Sequence, residues 1–298
     1  ITSDDKGHAV SIAIPYGTYV VVESKTPHNM KTIKPFEVKI SENHPDKPQT
    51  WRVFLDREFT AKLRVIKKDS DTKQTVLVPN AEFKIFNIDK NEYVKQYTTY
   101  PSKVEHTSFF TDEDGDLILP EALKIGNYRI EEVSAPYGYV VNDKYVNISV
   151  DTDTAFETDG DTNDAIITVE YSDAPAVGEL TVEKKGEVLD GFKGGFLASS
   201  YEKEFDYKEG SLAGAKFKVY AAEDIYTADN QKDADGNRIK YYSKGDLVTT
   251  LTTGKDGKAV AKNLPLGQYR VVEVEAPYGY ILNPNEQKVT FTYVDDKT

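Results

Sequence analysis

The sequence predicts an all-β protein of tandem antiparallel β-sandwich domains, immunoglobulin-like or prealbumin-like. Three observations predict it. Apolar and polar residues alternate with period 2 along the chain, and helical periodicity is nearly absent. Turn clusters such as Asp112-Glu113-Asp114-Gly115-Asp116 and Asp233-Ala234-Asp235-Gly236-Asn237 separate the alternating runs. Whole blocks of sequence recur, which marks a tandem architecture.

The alternating runs at 18–23, 36–40, 83–86, 145–150 and 289–293 read as strands. One block occurs three times. It opens on a turn (Lys6-Gly7, Asp114-Gly115, Asp256-Gly257) and continues through Gly-x-Tyr (Gly17-Thr18-Tyr19, Gly126-Asn127-Tyr128, Gly267-Gln268-Tyr269). It closes on an acid (Glu23, Glu132, Glu273) and a proline (Pro27, Pro136, Pro277), and the last two copies run on as Pro-Tyr-Gly-Tyr. A second block occurs twice, Leu63-Arg64-Val65-Ile66-Lys67-Lys68 and Leu180-Thr181-Val182-Glu183-Lys184-Lys185. A third ends each unit: Trp51 to Asp56, Thr168 to Asp173, and Thr290 to Asp295.

The order Lys strand, Glu strand, Asp strand divides the chain into three domains. Residues 1–58 are expected to be the C-terminal part of a first domain, 59–176 a second domain, and 177–298 a third with an insertion at 186–211. The first unit has no Lys strand, so the chain is expected to begin inside a domain of a longer protein.

Composition excludes several functions. The 298 residues include no cysteine, which removes disulfides, thiolate metal sites and Cys nucleophiles. The formal net charge of −13 disfavours nucleic-acid binding. No apolar run is long enough for a membrane-spanning helix. No triad, phosphate loop or metal-ligand spacing stands out, so no cofactor and no external enzymatic activity are expected.

Strand parity directs three charged residues of each full unit inward. Lys67 shares its parity with Leu63 and Val65, Glu132 with Tyr128 and Ile130, and Asp173 with Val169 and Tyr171. Lys184, Glu273 and Asp295 repeat the pattern. Burial favours the neutral forms of such groups. A neutral lysine amine is a nucleophile, a protonated Asp an electrophile, and a protonated Glu a proton relay. Together they would form an amide between Lys Nζ and Asp Cγ, with proximity in the core supplying the effective molarity.

The Lys strand, the Gly-x-Tyr-x-x-x-Glu-x-x-Ala-Pro-x-Gly-Tyr block and the terminal acidic strand resemble the SpaA/CnaB-type (prealbumin-like) domains of Gram-positive surface adhesins and sortase-assembled pilins. The resemblance spans essentially the whole chain. It implies intramolecular isopeptide bonds Lys67–Asp173, promoted by Glu132, and Lys184–Asp295, promoted by Glu273. In the partial unit, Glu23 and Asp56 would await a lysine from upstream. The family's acceptor is most often Asn, whereas all three copies here carry Asp. The resemblance further implies an extracellular, cell-wall-attached stalk, anchored through segments outside this chain. Its implied partners are other pilin subunits, or a host matrix protein or glycan if the chain is instead a binding module.

Other signals have plainer readings. The acidic loop 151–164 reads as a solvated loop, with Ca²⁺ binding as the alternative. His8, His28, His44 and His106 form no metal spacing. The aromatics of the insertion (Phe192, Phe196, Tyr201, Phe205, Tyr207) are expected to cover an open sheet edge, with a partner surface as the alternative.

Overall fold

The computed structural model describes residues 1–41, 53–162, 164–193 and 204–297. Among them every helix or strand element is a strand. The fold is all-β, as the alternation predicts.

In the first unit, Gly17–Val21 pairs antiparallel with Phe36–Ile40. Trp51 and Arg52 of the expected closing strand lie outside the described residues, as does His44. Residues 53–56 form no strand, a departure from the alternating pattern. Val53 and Leu55 are exposed there, and Phe54 packs on Phe36 at 4.4 Å between ring centroids.

The second unit has two facing sheets. In one, the Lys strand Thr60–Asp69 is flanked by Asp116–Ile118 and Leu123–Lys124 on one edge and by the Asp strand Ala165–Pro175 on the other. The facing sheet runs Val146–Val150, the Glu strand Gly126–Ser134, then Glu82–Asn87 and Glu92–Tyr93. Alternate residues of the Lys strand (Ala61, Leu63, Val65, Lys67, Asp69) are buried. Ala61, Leu63 and Val65 meet Phe83, Ile85, Ile130 and Tyr171 in one core, and Lys67 and Asp69 are buried ionisable positions on the same face. A fully buried aliphatic or aromatic side chain of this kind contributes about 1.5–3 kcal/mol.

One pairing departs from the antiparallel expectation. The Lys and Asp strands run parallel, from Ala165↔Ala61 to Asp173↔Asp69. Parallel neighbours need a long crossover, and here the rest of the unit supplies it. The first and last strands of the unit therefore lie side by side.

The repeated Asp-Gly turn has a steric reason. Gly115 adopts φ +73°, and a Cβ there would meet the Val76 carbonyl oxygen at 2.2 Å. The Gly115 carbonyl accepts the Lys67 amide at 2.9 Å, which pins the turn against the Lys strand. In the third unit Gly257 has φ +74°, and its carbonyl accepts the Lys184 amide at 2.8 Å.

The third unit keeps one sheet, ordered Leu247–Thr252, Lys216–Ala221, Gly267–Glu275, Gln287–Phe291. Against it lies the Lys strand Val177–Glu183, paired antiparallel with Lys258–Pro265. The register corrects the repeat alignment. Gly267↔Phe291 and Val271↔Gln287 reproduce Gly126↔Val150 and Ile130↔Val146. Gln287–Phe291 is thus the counterpart of Val146–Val150, not of the Asp strand. Among the described residues, no strand pairs with the second edge of Val177–Glu183.

The insertion forms a separate hairpin, Lys185–Lys193 with Glu204–Ser211. Of the five aromatics expected to cover a sheet edge, Phe205 and Tyr207 are more than half exposed, as is the neighbouring Leu189. Phe196, Tyr201 and the side chain of Phe192 lie outside the described residues.

Neighbouring units are joined by hydrogen bonds. Phe59 N donates to Asn29 O, and Asn29 N to Thr152 Oγ1. Between the second and third units, Leu77 N donates to Asp229 O, Thr72 Oγ1 to Asp229 Oδ2, and Gln231 Nε2 to Thr75 O.

Candidate cross-link site

In the second unit the two sheets converge on three ionisable side chains. Lys67 Nζ lies 2.5 Å from Glu132 Oε1 and 2.6 Å from Asp173 Oδ1, and all three side chains are 0% exposed. The parallel register explains the meeting. Lys67 is level with Tyr171, and its long chain crosses to Asp173 on the adjacent strand. Glu132 reaches them from the facing sheet. The Lys67 ammonium also stands over the Tyr171 ring (4.7 Å) and near the Phe83 ring (5.5 Å), which close the site to water.

The electrostatics follow from burial. Desolvation pushes Glu132 up to about 8; the nearby Lys67 opposes the shift and Asp173 adds to it. Desolvation likewise raises Asp173, with Lys67 again opposing. Neither Asp173 oxygen has a hydrogen bond of proper geometry, although Lys67 Nζ stands beside Oδ1. A buried carboxyl left without hydrogen bonds is pressed toward its neutral, electrophilic form.

Glu132 is oriented by a device that residue types do not reveal. Its Oε2 accepts the backbone amide of Asn142 at 3.0 Å, ten residues on. Glu273 Oε2 accepts from Asn283 N at 2.9 Å, and Glu23 Oε2 from Ile33 N at 2.9 Å, at the same spacing. The tyrosine of each Gly-x-Tyr donates its hydroxyl to the carbonyl four residues earlier: Tyr19 to Pro15, Tyr128 to Lys124, Tyr269 to Pro265. The three Glu residues thus hold one local geometry. A backbone donor, with Ile at one position and Asn at two, leaves no side-chain signature.

In the third unit, Lys184 Nζ lies 2.9 Å from Glu273 Oε2, with side chains 17% and 2% exposed. Asp295 is not the counterpart of Asp173. It stands four residues beyond Phe291, where the second unit has Thr154, and its Oδ1 accepts the Lys297 amide. The nearby tail turns to the second unit instead: Tyr293 packs on Tyr137 at 4.6 Å, and Asp296 O accepts Val141 N. In the first unit, Glu23 keeps its place and Asp56 is exposed.

The acidic loop uses its carboxylates to cap its own turns. Asp151 Oδ1 accepts from Asp153 N, Thr154 N and Thr154 Oγ1, and the Thr154 bonds chiefly hold its pKa below the usual carboxylate range. Asp159 Oδ1 accepts from Asp161 N and Thr162 N. No group of three or more potential metal ligands occurs among the described residues.

A fold of serial β-sandwich units with a buried Lys–Glu–Asp centre defines a class of prealbumin-like domains. The family model for the SpaA prealbumin-like fold domain matches residues 1–52, 61–165 and 201–298. The chain belongs to that family. Among solved structures, the Bacillus anthracis TIE protein is 24% identical with a TM-score of 0.44; the match covers 98% of this chain and 42% of that one. The chain thus spans less than half of that relative's length. A streptococcal ancillary pilin is 20% identical (TM-score 0.28, 94% of this chain, 72% of that one). BcpA, the major pilin subunit of Bacillus cereus, is 13% identical (TM-score 0.28, 78% of this chain, 95% of that one). No curated protein matches the chain.

Proposed function

We propose that the chain is a structural stalk region of a bacterial cell-surface pilin or adhesin, stiffened by an intramolecular isopeptide bond that it forms itself. Its units are 1–58, 59–176 and 177–298, its place is extracellular, and its partners are other pilin subunits. The observation that carries the reading is the water-excluded approach of Lys67 Nζ to both Glu132 and Asp173, at 2.5 and 2.6 Å.

The chemistry balances within these three side chains. A proton passes from the Lys67 ammonium to Glu132, whose raised pKa lets it hold that proton near neutrality. The free amine attacks Cγ of neutral Asp173. Glu132 passes its proton to the departing hydroxyl and takes up the second proton of the attacking nitrogen, so one C–O bond breaks, one N–C bond forms, one water leaves and Glu132 ends neutral. No external substrate is turned over. The bond joins the first and last strands of the unit, so a pulling force passes across it rather than through the intervening strands. Such a staple needs no oxidant and resists reduction, which suits a cysteine-free exported protein.

Intact mass under denaturing conditions tests the reading. The expected mass is about 18 Da below the sequence mass, for one water lost at Lys67–Asp173. A mass equal to the sequence mass rejects it.

The exposed Leu189, Phe205 and Tyr207 of the hairpin favour a second reading, a module that binds a host matrix protein or glycan. A hairpin-deleted variant that binds such a ligand undiminished excludes the hairpin as the site.

A further inference from the structure

Asn142 meets the cross-link centre twice. Its backbone amide donates to Glu132 Oε2 at 3.0 Å, and its side-chain Nδ2 donates to the Ser172 carbonyl at 2.9 Å. Glu132 belongs to the facing sheet, and Ser172 directly precedes Asp173 on the Asp strand. One residue thus ties the proton relay to the strand of the acceptor.

The local chain explains the contact. Tyr139–Val140 pairs antiparallel with the end of the Asp strand, Tyr139↔Pro175 and Val140↔Ala174. The same register carried two residues on sets Asn142 level with Ser172. The Asp strand grips this turn in return: Tyr171 Oη donates to Asn142 O at 3.1 Å and to Lys144 O. Asn142 Oδ1 accepts the Lys144 amide at 3.1 Å, which fixes the carboxamide and leaves Nδ2 aimed at the Asp strand. The amide and the side chain act separately. In the first unit Ile33 gives the same amide to Glu23, so holding the Glu needs no asparagine side chain. In the third, Asn283 repeats both the amide and the cap, its Oδ1 accepting from Asn285 N at 3.1 Å.

We infer that Asn142 is a positioning residue for the condensation of Lys67 with Asp173, its amide and carboxamide together holding Glu132 and Asp173 in register about Lys67 Nζ. The inference rests on the amide chemistry proposed for the second unit. With Oε2 occupied as the acceptor of the Asn142 amide, the proton that Glu132 carries sits on Oε1, the oxygen 2.5 Å from Lys67 Nζ. With Ser172 O held by Nδ2, the neighbouring Asp173 stays beside that proton path. A misplacement of about 1 Å in such a step costs about a hundredfold in rate.

The test times the reaction in the full 298-residue chain. Lys67 is introduced with a photolabile cap on its amine, uncapped by light while the chain is unfolded in urea, and the chain is then diluted into buffer of chosen pH. Circular dichroism follows folding, and the intact mass of quenched samples follows the loss of about 18 Da. Asn142→Ser keeps an oxygen to cap Lys144 but is too short to reach Ser172 O, and Asn142→Ala loses both. Tyr171→Phe cuts the clasp from the other strand, so the test stands even where an Asn142 variant does not fold. All three keep the backbone amide to Glu132. Each folded variant is expected to lose water about ten- to a hundredfold more slowly than wild type, with the same pH dependence. A residue that only stabilises the fold leaves this post-folding rate unchanged. A wild-type rate in any folded variant therefore overturns the inference. So does a shifted pH dependence, which assigns Asn142 to the protonation of Glu132 alone. If wild type itself keeps its water, the amide chemistry fails and the positioning role falls with it.

Discussion

Lys67→Met removes the amine of the buried centre and leaves an apolar chain of similar length between Phe83 and Tyr171. Two consequences separate by their pH dependence. The first is loss of the covalent loop. Lys67 and Asp173 stand 106 positions apart, and closing a loop of that length stabilises by about 5 kcal/mol through unfolded-state entropy, on the model used for disulfides. That loss is the same at every pH.

The second consequence comes from Glu132. It stays buried and loses the cation that opposed its upward shift, so its folded pKa stays at or above about 8. An unfolded Glu ionises near about 4.3. Between those values the folded variant keeps a proton that the unfolded chain releases. Stability is therefore whole below the unfolded pKa and falls as pH rises toward the folded one. The slope is about 1.4 kcal/mol per pH unit, or about 2–3 kcal/mol between roughly pH 5 and pH 7. Urea denaturation at the two pH values measures it. Lys67→Met/Glu132→Gln is the control, because its amide does not titrate. A single variant no more pH-sensitive than the double variant refutes the buried, proton-holding role of Glu132. A single variant as stable as wild type at roughly pH 5 refutes the cross-link.

Two further predictions address the same centre and a third a buried hydrogen bond of the same unit. Glu132→Gln retains the shape and cannot relay a proton, so the second unit keeps its water and the intact mass rises to the sequence mass; a persisting deficit shows that Glu132 is dispensable. Asp173→Asn still supplies an electrophilic carbonyl but expels ammonia, so the deficit from the variant's own sequence mass becomes about 17 Da. An unreacted Asn variant, in mass spectra that resolve the difference, contradicts the condensation. Tyr139→Phe removes the hydroxyl that donates to buried Asp69 Oδ2 at 2.8 Å, and is expected to cost about 1–3 kcal/mol by leaving that oxygen short of a partner. Thermal unfolding reads that change, and an unaltered Tm argues that water replaces the hydroxyl.

The sequence by itself determined much of this protein. Alternation marked the strands. The recurring Asp-Gly, Gly-x-Tyr and Glu positions marked the units, because each answers a local need: a positive φ against a neighbouring carbonyl, a tyrosine tied four residues back, and a carboxylate held by an amide ten residues on. Parity put Lys67, Glu132 and Asp173 on inward faces. Only the tertiary structure decided that the Lys and Asp strands run parallel, and therefore that Lys67 and Asp173 touch across 106 positions. It also decided that Asp295 is not the third unit's acceptor. Thr290 to Asp295 has the same period-2 texture as Thr168 to Asp173, and texture reports the face of a residue, not the neighbour of its strand. Neighbours are chosen by hydrogen-bond register between distant segments, and Gly267↔Phe291 assigns that stretch to the Glu strand's hairpin. The physical reason is range: turns and side-chain faces are set within a few residues, whereas strand order is set by the whole sheet.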